Sequence, residues 1–114
     1  MRTLLKWATP VAVGLAIGSA VYQGRRGFRL RGRAAVVTGG SRGLGLLLAR
    51  RLAARGANVA ILARDPEELE RAREDVAQLG GQVLAITCDV RRREEVDSAI
   101  AEVVGRFGGV DVLI

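Results

Sequence analysis

The eight residues Thr38-Gly39-Gly40-Ser41-Arg42-Gly43-Leu44-Gly45 constrain this chain more than any other stretch. They come after a short apolar run, Ala34-Ala35-Val36-Val37, which reads as a buried strand. They lead into LGLLLARRLAAR (Leu44 to Arg55), apolar at Leu44, Leu47, Leu48, Leu52 and Ala53 with arginines at Arg50, Arg51 and Arg55. That is an amphipathic helix, closed by Gly56 as its C-terminal cap. Glycines at 39, 43 and 45 remove Cβ atoms where the chain must turn sharply and where a diphosphate could approach the backbone. The helix beyond would offer such an anion its unpaired N–H groups and the positive end of its dipole. The spacing is GxxxGxG, preceded by Thr38 and held between a strand and a helix.

The rest of the chain repeats that alternation. Asn58 to Ala63 (NVAILA) is a second buried strand. Asp65-Pro66-Glu67-Glu68 then predicts a helix start, with Asp65 as N-cap, Pro66 as the first helical residue and Glu68 closing a capping box. That helix carries Leu69, Val76 and Leu79 and is expected to stop at Gly80-Gly81. Gln82 to Thr87 is a third strand, and Glu94 to Val104 a third helix with Val96, Ile100, Val103 and Val104 on one face. Val110 to Ile114 is a fourth strand. The pattern β-α-β-α-β-α-β with near-continuously apolar strands predicts an α/β fold, a Rossmann-type parallel sheet. Right-handed crossovers set the strand order as 3-2-1-4.

TGGSRGLG, residues 38–45, resembles the cofactor fingerprint of the short-chain dehydrogenase/reductase family, and the likeness runs from residue 33 to 114. Ala63-Arg64-Asp65 falls where the family reads the adenosine ribose, and Cys88-Asp89-Val90 comes after the third strand, where it sets an Asp against the adenine ring. Gly105 to Ile114 (GRFGGVDVLI) is similar to the family's run into strand four. The resemblance implies a cofactor site made of Gly39, Ser41, Arg42, Gly43, Leu44, Gly45, Arg64, Asp89 and Val90. Within it Asp89 would bond the adenine amino group, and the Val90 backbone would shape that pocket. It also implies NADP(H) in preference to NAD(H). Ala63 stands where the acid of NAD-type members would fall, and Arg42 and Arg64 are cations suited to a 2′-phosphate. The alternative makes Asp65 the ribose acid of an NAD(H) enzyme, but its place before Pro66 suits a helix cap better. Cys88 reads as a small buried hydrophobe.

The family's proton transfer needs a Tyr, a Lys four residues later and a Ser. The only tyrosine, Tyr22, and the only lysine, Lys6, lie in the N-terminal segment, Ser41 belongs to the glycine loop and Ser98 to the third helix. No catalytic residue carries over, so these 114 residues are expected to bind cofactor without transferring hydride. The Asn-Asn-Ala-Gly turn that comes after strand four in the family has no counterpart here. The reading is therefore of the front part of a longer enzyme, marginally stable or aggregation-prone by itself. A chain without His and with one Cys also excludes the usual zinc site and any Ser-His-Asp or Cys-His pair.

The net charge of +6 is unevenly placed. Seven of the 18 basic residues fall in residues 1–33, which hold no acid; the remaining 11 face 12 acidic residues. Residues 34–114 are thus nearly neutral and form the expected nucleotide-binding domain. Residues 1–33 form a leader. Trp7 to Tyr22 is an uncharged run of 16 residues, roughly 24 Å as a helix, and including Leu4 and Leu5 brings it near membrane thickness. The arginines at Arg25, Arg26, Arg29, Arg31 and Arg33 place the downstream domain in the cytoplasm if residues 4–22 span a membrane. A cleaved signal peptide and a loosely packed leader, with the protein simply cytoplasmic, are the alternatives. The Arg cluster lacks interleaved aromatics, so no nucleic-acid partner is expected.

The expected function is hydride transfer between NADP(H) and a carbonyl or alcohol. The substrate would be a small molecule, and the anchor suggests a lipophilic one. A homo-oligomer stays open for the complete protein. The alternative is a non-catalytic, membrane-tethered nucleotide-binding module.

Overall fold

The structure, a computed structural model, describes residues 29–114. The apolar segment 4–22 lies outside the described residues; among the described residues no helix is long and apolar enough to cross a membrane.

Strand β1 (Ala34–Thr38) forms because four successive apolar residues leave no polar face. Such a strand is stable only with both faces covered. Val36 and Val37 are fully buried and point to opposite sides, as the two-residue period of a strand requires. Val37 joins Ala49, Ala53, Val59, Ile61 and Val76 on one face, while Val36 joins Ala60, Leu62, Cys88 and Val103 on the other. Helices α1 (Gly43–Ala54) and α2 (Pro66–Ala77) supply the first layer, and α3 (Arg93–Phe107) the second. Each fully buried Val or Ile contributes roughly 1.5–3 kcal/mol.

Strands β2 (Asn58–Ala63), β3 (Val83–Thr87) and β4 (Val112–Leu113) complete a four-stranded sheet of order β3-β2-β1-β4, all pairs parallel. This is the expected Rossmann-type topology. Ala34 pairs with Asn58 on one side of β1, and Ala35 with Val112 on the other. The Asp111 carboxylate fastens the second edge: it accepts from the Ala34 N–H at 2.8 Å and lies 3.5 Å from the Arg33 guanidinium.

The helix faces differ from the periodic reading in instructive ways. Leu44 and Leu47, expected in the core, are 70% and 49% exposed; the fully buried residues of α1 are Ala49 and Ala53, with Leu46 and the expected Leu52 packed partly buried beside them. Small side chains let the helix sit close to the strands, which leaves Leu44 and Leu47 at the rim. Val104 is likewise exposed, and the buried stripe of α3 runs through Ala99 and Val103, flanked by Val96, Ile100 and Phe107. Helix α2 stops two residues earlier than expected, with Gln78 as its C-cap and Leu79 in the turn beyond. Helix α1 ends at Ala54; Arg55 is the C-cap and Gly56, at φ +89°, is the residue after it.

Candidate cofactor cleft

Three loops meet at the carboxyl ends of β1, β2 and β3, where the strand order reverses at β1. In open parallel sheets this is where a crevice forms. Here it is a cleft of about 480 Å³. Gly39, Ser41 and Arg42 line it from the first loop, Arg64 and Asp65 from the second, and Cys88, Asp89, Val90 and Arg91 from the third. Six of the nine residues expected at the site therefore share one cleft. Gly43, Leu44 and Gly45 do not line it; they form the first turn of α1 immediately beyond.

The glycine loop is held by backbone. The N–H of Gly39 donates to Leu62 O at 2.8 Å, tying the loop to the end of β2. Gly43 takes φ +57°, a conformation that costs an L side chain about 1–2 kcal/mol. Gly45 is required for another reason: a Cβ there would collide with the Gly39 carbonyl oxygen and lie 2.8 Å from its carbon. The first turn of α1 is thus pressed against the loop, so the loop and helix start form one rigid piece.

That helix start is chemically open. Arg42, its N-cap, is extended and makes no side-chain capping bond, and the first turn holds no acid. Among the described residues nothing accepts from the N–H groups of Gly43, Leu44 or Gly45. Helix α2 shows the contrast. There Asp65 accepts from the N–H of Glu67 at 3.0 Å and of Glu68 at 3.3 Å, and two glutamates occupy the first turn. Its N-terminus is already neutralised; that of α1 is free to receive an anion. Asp65 is a helix cap, as its place before Pro66 suggests.

Glu68 departs from the sequence reading. It does not close a capping box on Asp65. Its Oε1 accepts from the Ser41 hydroxyl at 2.6 Å and lies 3.8 Å from Arg42 Nε. Ser41 is 8% exposed, and this bond satisfies its hydroxyl. Arg64, immediately after β2, lines the same cleft and is exposed, with no ion-pair partner among the described residues.

Asp89 has both carboxylate oxygens gripped by the guanidinium of Arg91, at 3.1 and 3.0 Å, and it also accepts from the Arg91 N–H. These bonds, with a smaller pull from the Arg64 charge, hold its carboxyl at about 2. Its own N–H donates to Glu95 of α3 at 3.1 Å, which fixes the turn. Val90 is 56% exposed at the cleft wall and packs into no core. Cys88 is buried against α3; burial first, then the charges of Glu95 and Asp89, pushes its thiol pKa up. Among the described residues no group of three His, Cys, Asp or Glu is placed to hold a metal ion. Glu68 and Arg91 are the cleft residues that sequence reasoning missed. Glu68 was accounted for by a local motif, and Arg91 stands in an unremarkable run, Arg91-Arg92-Arg93.

Fold and cleft together define a doubly wound α/β domain with a crevice at the carboxyl ends of its strands. Known proteins of similar sequence and structure agree with that class. The family model for short chain dehydrogenase matches residues 33–114, and the chain belongs to that family. Fatty acyl-CoA reductase of Acinetobacter baylyi is 36% identical over 85 residues, covering 75% of this chain and 29% of that protein. Hydroxysteroid dehydrogenase-like protein 2 of Bos taurus is 36% identical over 93 residues, covering 75% of this chain and 22% of that protein. The crystal structure of NAD+-bound xylitol dehydrogenase superposes with a TM-score of 0.72 at 35% identity, covering 75% of this chain and 33% of that one. The chain spans about a third or less of the length of the relatives it matches.

Proposed function

We propose that this chain supplies the NADP(H)-binding part of an oxidoreductase acting on a small carbonyl or alcohol. One observation carries the reading. At the end of β2, where an acid would select NAD(H), stands Ala63; the cleft beside it is walled by the cations Arg64 and Arg42. The residues present fit such a cofactor. The open N–H groups at the start of α1 would hold its diphosphate, and the missing Cβ atoms of Gly39 and Gly43 leave open space beside the loop. Arg64 and Arg42 would hold the 2′-phosphate, and Asp89 with the Val90 backbone the adenine. When bound, the cofactor supplies or accepts the hydride; the chain's own residues bind and orient it. The family's Tyr, Lys and Ser have no counterpart in these residues, so proton transfer is not assigned to any of them. The uncharged run between Lys6 and the Arg cluster supports tethering to a membrane through residues 4–22 with this domain on the cytoplasmic side, and tethering favours a lipophilic substrate.

Isothermal titration of the chain with NADPH and NADH tests the reading. NADPH is expected to bind at least tenfold tighter, and Arg64→Ala to remove about tenfold of that preference while leaving NADH unchanged, since a charge-assisted phosphate contact is worth about 1.5–3 kcal/mol before solvent screening. Equal affinities, or tighter NADH, would overturn it. Cofactor binding without turnover in the complete protein would favour a tethered, non-catalytic nucleotide-binding module.

A further inference from the structure

The Glu68 carboxylate is placed where the phosphate reading leaves no role for it. It lines the cleft, it takes the single hydroxyl proton of the buried Ser41, and it faces the guanidinium of Arg42. Ser41 and Arg42 are the two glycine-loop side chains that an incoming anion would need. A serine hydroxyl has one proton to donate. While Glu68 accepts it, a phosphate oxygen cannot. Glu68 belongs to the first turn of α2, and the Ser41 hydroxyl and the Arg42 guanidinium together hold its carboxylate at the cleft.

We infer that Glu68 is a specificity-determining residue: its carboxylate sits in the seat of the 2′-phosphate, pairs Ser41 and Arg42 in the free protein, and sets how strongly the cleft discriminates between phosphorylated and unphosphorylated adenosine ribose. This rests on the NADP(H) reading of the cleft. A 2′-phosphate enters only by displacing Glu68 from Ser41, and the two like charges then remain neighbours at the cleft edge. An unphosphorylated ribose leaves the Ser41–Glu68 bond intact. The residue therefore weakens one ligand and is silent toward the other. Arg64, in the lining of the same cleft, is a cation that Glu68 does not engage, and it keeps the net preference for the phosphate.

The test is calorimetric binding of adenosine 2′,5′-bisphosphate and adenosine 5′-monophosphate to the whole chain and to Glu68→Gln. Glutamine keeps an acceptor for Ser41 and removes the charge. The bisphosphate is expected to bind about tenfold tighter to Glu68→Gln, and the monophosphate to be unchanged; two like charges a few ångströms apart in a partly screened site are worth about that factor. Equal movement of both ligands would mean that Glu68 only holds the loop in shape. An unchanged or weakened bisphosphate would also overturn the proposal. A wild-type chain with no preference for the bisphosphate would refute the NADP(H) reading, while the change of ratio in Glu68→Gln would still judge Glu68 separately. Absence of binding to either protein would overturn both. A second measurement needs no variant: the Glu68 carboxyl ¹³C resonance of the wild-type chain should move on saturation with the bisphosphate and stay in place with the monophosphate. A resonance that ignores the bisphosphate refutes displacement.

Discussion

Alanine at three glycines gives three different answers if the geometry of the loop is right. Helix propensity alone rewards Gly→Ala within a helix by about 0.8–1 kcal/mol. At Gly105, within α3, a Cβ meets nothing within 4 Å and the backbone is ordinary, so Gly105→Ala should collect that gain. At Gly43 the space is equally empty but φ is +57°, so the same change costs about 1 kcal/mol through backbone strain. At Gly45 the new Cβ would lie 2.8 Å from the carbonyl carbon of Gly39 and 3.1 Å from the Cα of Gly40. Both are main-chain atoms already tied to Leu62, so neither can swing aside. Overpacking costs of about 1–3 kcal/mol are usual even where side chains can yield. Gly45→Ala should therefore lose about 2 kcal/mol or more net. For a domain of this size about 1 kcal/mol moves Tm by 4–8 °C. Melts followed by far-ultraviolet circular dichroism should rank the proteins Gly105→Ala above wild type, then Gly43→Ala, with Gly45→Ala lowest by roughly 8 °C or more. A Gly45→Ala protein that melts at or above wild type would refute the claim that the loop and helix are in backbone contact.

The cleft and its surroundings give three further outcomes. Asp65→Ala removes the acceptor for two α2 N–H groups and should cost about 1 kcal/mol, read as a lower urea midpoint with an unchanged slope. Asp89 is held at about 2 by Arg91, below its unfolded value, so its stabilising contribution is full above the usual carboxylate range and is lost as pH falls through about 2. Asp89→Asn should accordingly flatten the fall of Tm between about pH 4 and 2, and an unaltered acid limb would refute the pairing. Cys88, buried and with its thiol pushed up, should react with an aromatic disulfide at pH 8 only after denaturation; rapid labelling of the native chain would contradict its placement against α3.

The strands and their order were legible because each is a short apolar run bounded by a turn signal, and because right-handed crossovers leave few arrangements of four parallel strands. The glycine loop was legible for the same reason that it matters: backbone constraints are written in residue type. The side-chain network was not. Glu68 satisfied a three-residue capping pattern, yet its true partner, Ser41, comes from 27 residues away. No local pattern competes visibly with a partner from another element. Leu44 and Leu47 misled in the opposite direction, since periodicity weighs large apolar residues most, while the fully buried residues of α1 are alanines. The grip of Arg91 on Asp89 depends on a turn that Glu95 of α3 pins from below, again a contact between elements.

The central place of β1 has a consequence for how the molecule comes into being. The strand made first is the one enclosed last. Its partner on one side is complete only when β2 emerges, 24 residues on, and its other edge waits for a bond between Ala34 and Asp111, separated by 77 positions. Until then Val36 and Val37 have neither a second neighbour nor a finished roof. Every pairing in the sheet closes a long loop before it returns any energy, which places such a topology among the slow folders. During synthesis the glycine loop would accordingly lack its anchor until Leu62 of the second strand has emerged to accept from the Gly39 N–H.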